Sequence, residues 1–96
     1  MRLLLLRPAA AGDIDQAYRW YEGQRIGLGE EFLLEVRTTL WQLREQPDAC
    51  PVIHRDTRRA LLKRFPYGVF YRVFEQQIVV VACLHARRHP RHWRRG

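Results

Sequence analysis

The sequence is poor in lysine, in cysteine and in apolar runs long enough to cross a membrane, and each shortage excludes a class of protein. Lys63 is the single lysine, so the cationic chemistry is that of the arginine guanidinium. Two cysteines without an export signal favour reduced thiols over a disulfide framework. The leucine run Leu3 to Leu6 is too short for a membrane span, which needs about 20 apolar residues. We therefore expect one cytoplasmic domain spanning residues 1–96.

Acidic residues are scarce in the second half of the chain. Residues 1–50 contain six arginines and eight acids, a balance of −2. Residues 51–96 contain eleven basic residues against Asp56 and Glu75, a balance of +9. The stretch "HARRHPRHWRR" carries five arginines, three histidines and one tryptophan, with no acid. Such asymmetry predicts that one face meets an acidic protein segment or nucleic acid.

The spacing of apolar residues is helical before Pro51 and extended after it. "MRLLLLR" predicts a short opening strand. Ile14, Ala17, Tyr18 and Tyr21 follow the spacing of one helical face. Pro8 and Gly12 are expected in a loop or in the first turn of that first helix, and Asp13 or Asp15 can cap or charge its start. The break "GLG" then leads to a second helix, expected from about Gly29 to Gln46 and stopped by Pro47.

After Pro51, three or four of the following short segments are expected to be strands. They are "VIH", the alternating "RALLKRF", "VFYRVF" (69–74) and "IVVVACLH" (78–85). The last is apolar almost throughout, which fits a central strand covered on both faces. The fold class is α+β: an N-terminal strand and an antiparallel helical hairpin packed on one mainly antiparallel sheet of about four strands.

Metal binding and thiol catalysis are both disfavoured by the residues around the candidate groups. His85, His89 and His92 have helical spacing, but five nearby arginines oppose a cation, and no carboxylate lies close in sequence. Cys83 and His85 would lie on the same side of one strand. Because Cys83 belongs to an apolar run, we interpret it as a packed core thiol. No metal and no cofactor are expected.

Metal-independent RNA cleavage fits part of the sequence. That reaction needs a base, an acid and cations that stabilise the developing phosphorane charge. His85 could supply the acid. The candidate cations are Arg64, Arg72, Arg87 and Arg88. The base is not evident, because Glu75 lies at an expected turn and Asp56 in an expected loop. Binding without reaction is simpler, with arginines holding an acidic group and Trp93 stacking on a partner or on the protein itself.

Several stretches together resemble a known superfamily. They are "DIDQAYRWYEGQRIGLGEEFLLEV" in the first half, and "RALLKRFPYGVFYRV", a valine-rich strand and "HARRHPRHW" in the second. Over nearly its whole length the chain resembles the RelE/ParE superfamily of bacterial toxins from type II toxin–antitoxin systems. The resemblance implies a RelE-like fold and a small cognate antitoxin whose acidic, apolar C-terminal segment wraps the toxin.

The superfamily divides by target. ParE-like members poison DNA gyrase, whereas RelE-like members cut mRNA on the ribosome. The "FPY" turn and the arginine-rich end look closer to the ParE-like branch, so we expect a gyrase inhibitor that is not an enzyme. The expected target- or antitoxin-binding residues are Arg64, Tyr67, Arg72, Arg87, Arg88 and Trp93. The alternative is a ribosome-dependent mRNA endoribonuclease, with His85, Arg87 and Arg64 as its candidate catalytic residues.

Overall fold

The computed structural model describes residues 2–87, which form one five-stranded sheet with two helices packed on it. The elements are β1 (Leu3–Leu6), α1 (Pro8–Gln24), α2 (Leu28–Glu45), β2 (Val52–His54), β3 (Thr57–Leu61), β4 (Tyr67–Val73) and β5 (Gln77–His85). The α+β prediction, with its N-terminal strand and helical hairpin, is confirmed, and the sheet has five strands where about four were expected. Neither described helix is long and apolar enough to cross a membrane.

Helix α1 begins at Pro8, so of the two expectations for Pro8 and Gly12, a loop or the first turn of a helix, the helical one is correct. Pro8 occupies its first turn, where a missing N–H costs nothing and the fixed φ favours the helix. Asp13 and Asp15 do not cap or charge the start of this helix, because both lie beyond its first turn. The apolar face is as predicted, with Ile14, Ala17 and Tyr21 buried.

The turn between the helices is closed by one carboxylate. The two Glu22 oxygens accept the backbone N–H groups of Gly27 and Gly29, each at 3.0 Å. Gly27 has φ 93°, in the left-handed region where a side chain would be strained. Gly29 lies against Tyr18, and a Cβ there would meet the Tyr18 backbone oxygen at 2.8 Å. The "GLG" break is thus a tight turn that needs both of its glycines.

The strand order is β1-β5-β4-β3-β2, with β1 parallel to β5 and every other pair antiparallel. Strand β5 lies inside the sheet between β1 and β4, which explains its continuous apolar sequence. The expected extension of β3 through "RALLKRF" is wrong, because the strand ends at Leu61. The side chains of Leu62 and Phe65 are both buried in the core, so the expected alternation of side chains between the two faces of the sheet ends after Leu61.

An aromatic group forms part of the core between the helices and the sheet. Tyr21 and Phe32 from the helices meet Phe65 and Tyr67, with ring centroids 4.8–6.0 Å apart. Edge-on ring pairs add about 0.5–1.5 kcal/mol each beyond area burial. This group fixes the loop that joins β3 to β4.

The opposite side of the sheet carries a second apolar cluster, formed by Phe70, Val81, Ala82 and Leu84, with Ile53 and Val79 packed against it. Neither α1 nor α2 contributes a residue to this cluster. Because no helix described within residues 2–87 packs on this side, we call it the helix-free face. Arg59 of β3 is the register partner of Phe70 of β4, and cross-strand partners project to the same side. Arg59 therefore belongs to the helix-free face.

Candidate functional site

The loop of residues 62–66 presents Arg64 and is held by helix α2. The Glu35 carboxylate accepts the backbone N–H groups of Lys63 and Arg64. The Arg64 side chain forms an ion pair with Glu31 at 2.6 Å. Hydrogen bonds from Arg64 and then from Arg25 lower the pKa of Glu31. The contacts with α2 thus fix the position of Arg64, but its positive charge is already paired with Glu31.

Tyr67 and His85 meet where β4 begins and β5 ends. They are register partners, and their rings lie 5.5 Å apart. The Nδ1 atom of His85 accepts the backbone N–H of Arg87 at 3.1 Å. The Ala86 N–H donates to the Pro66 carbonyl and ties the end of β5 to the β3–β4 loop.

Four of the predicted residues therefore lie at one end of the sheet: Arg64, Tyr67, His85 and Arg87. Arg64, Tyr67 and Ala86 line one open depression of about 350 Å³. Arg87, which immediately follows Ala86, is exposed. This end is our candidate site, and its groups can bind an acidic or aromatic partner.

Arg72 does not join that group. It lies five residues further along β4, where its Nε donates to the Thr57 hydroxyl at 3.2 Å. Asp56 lies 3.6 Å from the same nitrogen. Two other predicted residues, Arg88 and Trp93, fall outside residues 2–87.

The sequence did not reveal Asp13 as part of this region. From α1 its carboxylate accepts the backbone N–H of Cys83 at 3.0 Å. Asp13 also lines a cleft of about 230 Å³ together with Trp20, Tyr67 and His85. Asp13 is three residues after the buried Ala10 and four before the buried Ala17, a signal that could have placed it on the sheet side of the helix.

Cys83 is a core thiol, as the sequence interpretation held, with 1 % of its surface exposed. Burial, and then the negative charge of Asp13, raise the pKa of Cys83 to about 12. A neutral buried thiol is a poor nucleophile. Within residues 2–87 no three His, Cys, Asp or Glu side chains are grouped so that they could hold a metal ion.

The raised pKa of Cys83 gives a testable pH dependence. Unfolded Cys83 loses its proton near pH 9, whereas the folded thiol retains it to about pH 12. Above pH 9 the unfolded state therefore binds fewer protons, and stability falls as pH rises, by up to about 1.4 kcal/mol per pH unit for one such group. Burial also raises the pKa of Tyr71, which adds to the loss at higher pH.

The measurement is urea unfolding of the wild type and of Cys83→Ala at pH 8 and pH 10.5. The variant should be less stable at pH 8 and should lose less stability between the two values. An equal loss in both proteins would show that Cys83 does not contribute to the alkaline slope.

Comparisons with known proteins identify the family to which this geometry belongs. A family model described as the ParE toxin of the type II toxin–antitoxin system parDE matches residues 4–90. The chain belongs to the ParE toxin family. It is therefore related to the toxin components of type II toxin–antitoxin systems, which implies an antitoxin partner.

A solved structure agrees with the ParE family in fold. The chain is similar to one from the chromosomal ParDE toxin–antitoxin system of P. aeruginosa, with a TM-score of 0.67 and 22% sequence identity. The match covers 88% of this chain and 96% of that chain. No protein with curated function matches. The solved structure thus supports the ParE-family architecture over most of the described residues.

Proposed function

We propose that this ParE-family chain inhibits DNA gyrase in the cytoplasm and that a cognate antitoxin neutralises it through an acidic C-terminal segment. The observation that carries the proposal is the family match over residues 4–90. The "FPY" turn and the arginine-rich second half, which resemble the gyrase-directed branch, support the same target.

The candidate site suits a protein target. Arginine forks bind carboxylates through two parallel hydrogen bonds. Arg87 is exposed beside His85, whereas Arg64 is held by Glu31. An acidic group of the target can reach Arg87 without displacing an internal partner among the described residues. Arg87 is thus the leading contact, and Arg64 contributes where the target competes with Glu31.

The test is a gyrase supercoiling assay with the purified chain, scored also for trapped, cleaved plasmid. We expect inhibition that the antitoxin abolishes. Arg87→Ala should weaken inhibition by about tenfold or more, the usual size of a lost charge-assisted contact. Arg37→Ala removes an arginine of α2 that is also exposed, and it serves as the matched control. A folded wild-type chain without effect on gyrase would contradict the proposal.

The alternative function is ribosome-dependent mRNA cleavage. One observation favours it: the Asp13 carboxylate lines the same cleft as Tyr67 and His85, so an acid–base set lies nearby. Under this alternative, induction yields mRNA fragments, and His85→Ala abolishes both the fragments and toxicity while the fold persists. Fragments without gyrase inhibition would replace the gyrase proposal with this one.

A further inference from the structure

The Glu31 carboxylate of α2 bridges two arginines that come from different parts of the fold. Its Oε1 atom accepts a hydrogen bond from Nη2 of Arg64 at 2.6 Å, and its Oε2 atom accepts one from Nη2 of Arg25 at 3.2 Å. Arg64 lies in the loop between β3 and β4, whereas Arg25 directly follows α1. Hydrogen bonds from Arg64 and then from Arg25 lower the pKa of Glu31, because both favour its charged form. One negative charge is therefore shared by two guanidinium groups.

Arg64 is held firmly at its backbone and only weakly at its side chain. The Glu35 carboxylate accepts the backbone N–H groups of Lys63 and Arg64, which fixes the point from which the side chain extends. The Arg64 side chain is 64% exposed even though it forms an ion pair. Ion pairs between exposed side chains are weak, because water and salt screen both charges. The guanidinium can therefore leave Glu31 while the loop stays in place.

Two open depressions meet at Arg64. One, of about 230 Å³, is also lined by Glu31. The other, of about 350 Å³, is lined by Tyr67 and Ala86 and belongs to the candidate site. Because arginine has a long side chain with several staggered rotamers, Arg64 can reach a partner in either depression from the same backbone position. A target carboxylate in the candidate site thus competes with Glu31 for one guanidinium.

Arg25 lowers the cost of that competition. The Glu31 side chain is only 36% exposed, so a Glu31 carboxylate without any cation would regain its hydration incompletely. When Arg64 leaves, Glu31 still has Arg25 at 3.2 Å. The charge of Glu31 therefore stays paired, and no rearrangement of α1 or α2 is needed.

We propose that Arg64 exchanges its partner when the target binds: a carboxylate of gyrase replaces Glu31, and Arg25 keeps Glu31 paired. The inference rests on the proposed function and deepens it, because it names two residues that set the affinity for gyrase without contacting it. Glu31 is an internal competitor that lowers the affinity. Arg25 acts only through Glu31 and restores part of that affinity.

The surroundings of Arg64 favour a protein carboxylate over the phosphates of a nucleic acid. Glu31 and Glu35 both line the depression beside Arg64, so repeated negative charges brought close to it are repelled. A single carboxylate adds one charge, and it has the shape and hydrogen-bonding pattern that Glu31 already presents to the guanidinium. The incoming group can therefore replace Glu31 like for like.

The experiment measures, for the purified wild-type chain and its variants, the dissociation constant for purified gyrase and the concentration that halves supercoiling. Glu31→Gln removes the competing charge and keeps a side chain of the same shape, so both values should fall about three- to fivefold. Arg25→Gln leaves Glu31 with Arg64 alone, so both values should rise by about the same factor. A structural role for Glu31 predicts the opposite sign, since losing an ion pair would then weaken binding.

Two matched variants control for the change in net charge. Glu30→Gln removes an exposed glutamate adjacent to Glu31 in sequence, and Arg37→Gln removes an exposed arginine of the same helix. Each should change both values by less than about twofold. If Glu30→Gln tightens binding as much as Glu31→Gln, net charge alone sets the affinity and the proposal is overturned.

Double variants test whether the three residues act as one unit. In the Glu31→Gln background, Arg25→Gln should have no further effect, because Arg25 acts only through Glu31. In the Arg64→Gln background, Glu31→Gln should no longer tighten binding. Additive effects in either background would contradict the exchange of partners. Thermal melting of each variant separates affinity from stability, since Glu31→Gln should bind more tightly without melting higher than the wild type.

The remaining outcomes distinguish this inference from the proposed function. A folded wild-type chain that does not bind gyrase overturns both. A wild-type chain that inhibits gyrase, with Glu31→Gln no tighter than wild type, overturns the exchange and leaves the proposed function standing. If Glu31→Gln instead tightens binding to a DNA or RNA oligonucleotide, with gyrase binding unchanged, Arg64 receives a phosphate and the proposal is overturned.

Discussion

Phe32→Ala is expected to lower the free energy of unfolding by about 3–5 kcal/mol. Phe32 is fully buried, and its ring centroid lies 5.3 Å from those of Tyr21, Phe65 and Tyr67. Truncation removes apolar burial and three ring contacts and leaves a cavity. Because small domains are stable by about 5–15 kcal/mol in total, the variant should be close to unfolding at physiological temperature.

Urea unfolding followed by circular dichroism checks this expectation. Leu34→Ala is the matched control, since Leu34 lies on the same helix and is 64% exposed. It should change stability by about 0.5 kcal/mol or less. Equal losses in the two variants would mean that the aromatic group is not the centre of the core. Under the proposed function, a partly folded Phe32→Ala should also lose gyrase inhibition, because Phe65 and Tyr67 pack against this ring.

Glu35→Ala is expected to free the loop that carries Arg64. Its carboxylate accepts two successive backbone N–H groups, those of Lys63 and Arg64. Hydrogen bonds to charged groups contribute about 1.5–3 kcal/mol each when shielded, and exposure here reduces the sum to about 1–3 kcal/mol. The amides of Lys63 and Arg64 should then exchange with solvent at least about tenfold faster.

Hydrogen exchange by NMR resolves the two amides directly. Glu35→Gln keeps one oxygen acceptor and should give an intermediate rate. Glu45→Ala removes an exposed glutamate from the same helix and should leave both amides unchanged. Unchanged exchange in Glu35→Ala would show that the loop is held by the burial of Leu62 and Phe65 rather than by the carboxylate.

Much of the fold was predictable because short stretches of the sequence are enough to specify several of its helices and strands. The helical spacing through Tyr21 and the apolar run of β5 each have a short-range physical cause. The course of residues 62–66 was not predictable in the same way. Leu62 and Phe65 are both buried although three residues apart in a non-helical loop, and this follows from tertiary contact with α1 and α2.

The candidate residues of the site were predictable, whereas their partners were not. Arginines and a histidine are visible as residue types, so Arg64 and His85 were identified from sequence. Glu31 is 33 positions from Arg64, and nothing local connects them. The same holds for Asp13, whose carboxylate reaches Cys83 70 positions away. Such pairings are set by the packing of α1 and α2 on the sheet, which a single sequence does not display.

The parallel pairing of β1 with β5 bears on when the protein becomes active during synthesis. Leu3 is aligned with Gln77 in the parallel pair of β1 and β5. Strand β1, the first to be synthesised, therefore cannot form its backbone hydrogen bonds until β5, the last described strand, has been synthesised. Contacts this distant in sequence form slowly and late. While ribosomes translate the intervening residues, the growing polypeptide lacks the strand on which both β1 and β4 depend. Under the proposed function, we therefore expect nascent chains to be inactive until the sheet closes, by which time an antitoxin already present can bind the folded chain.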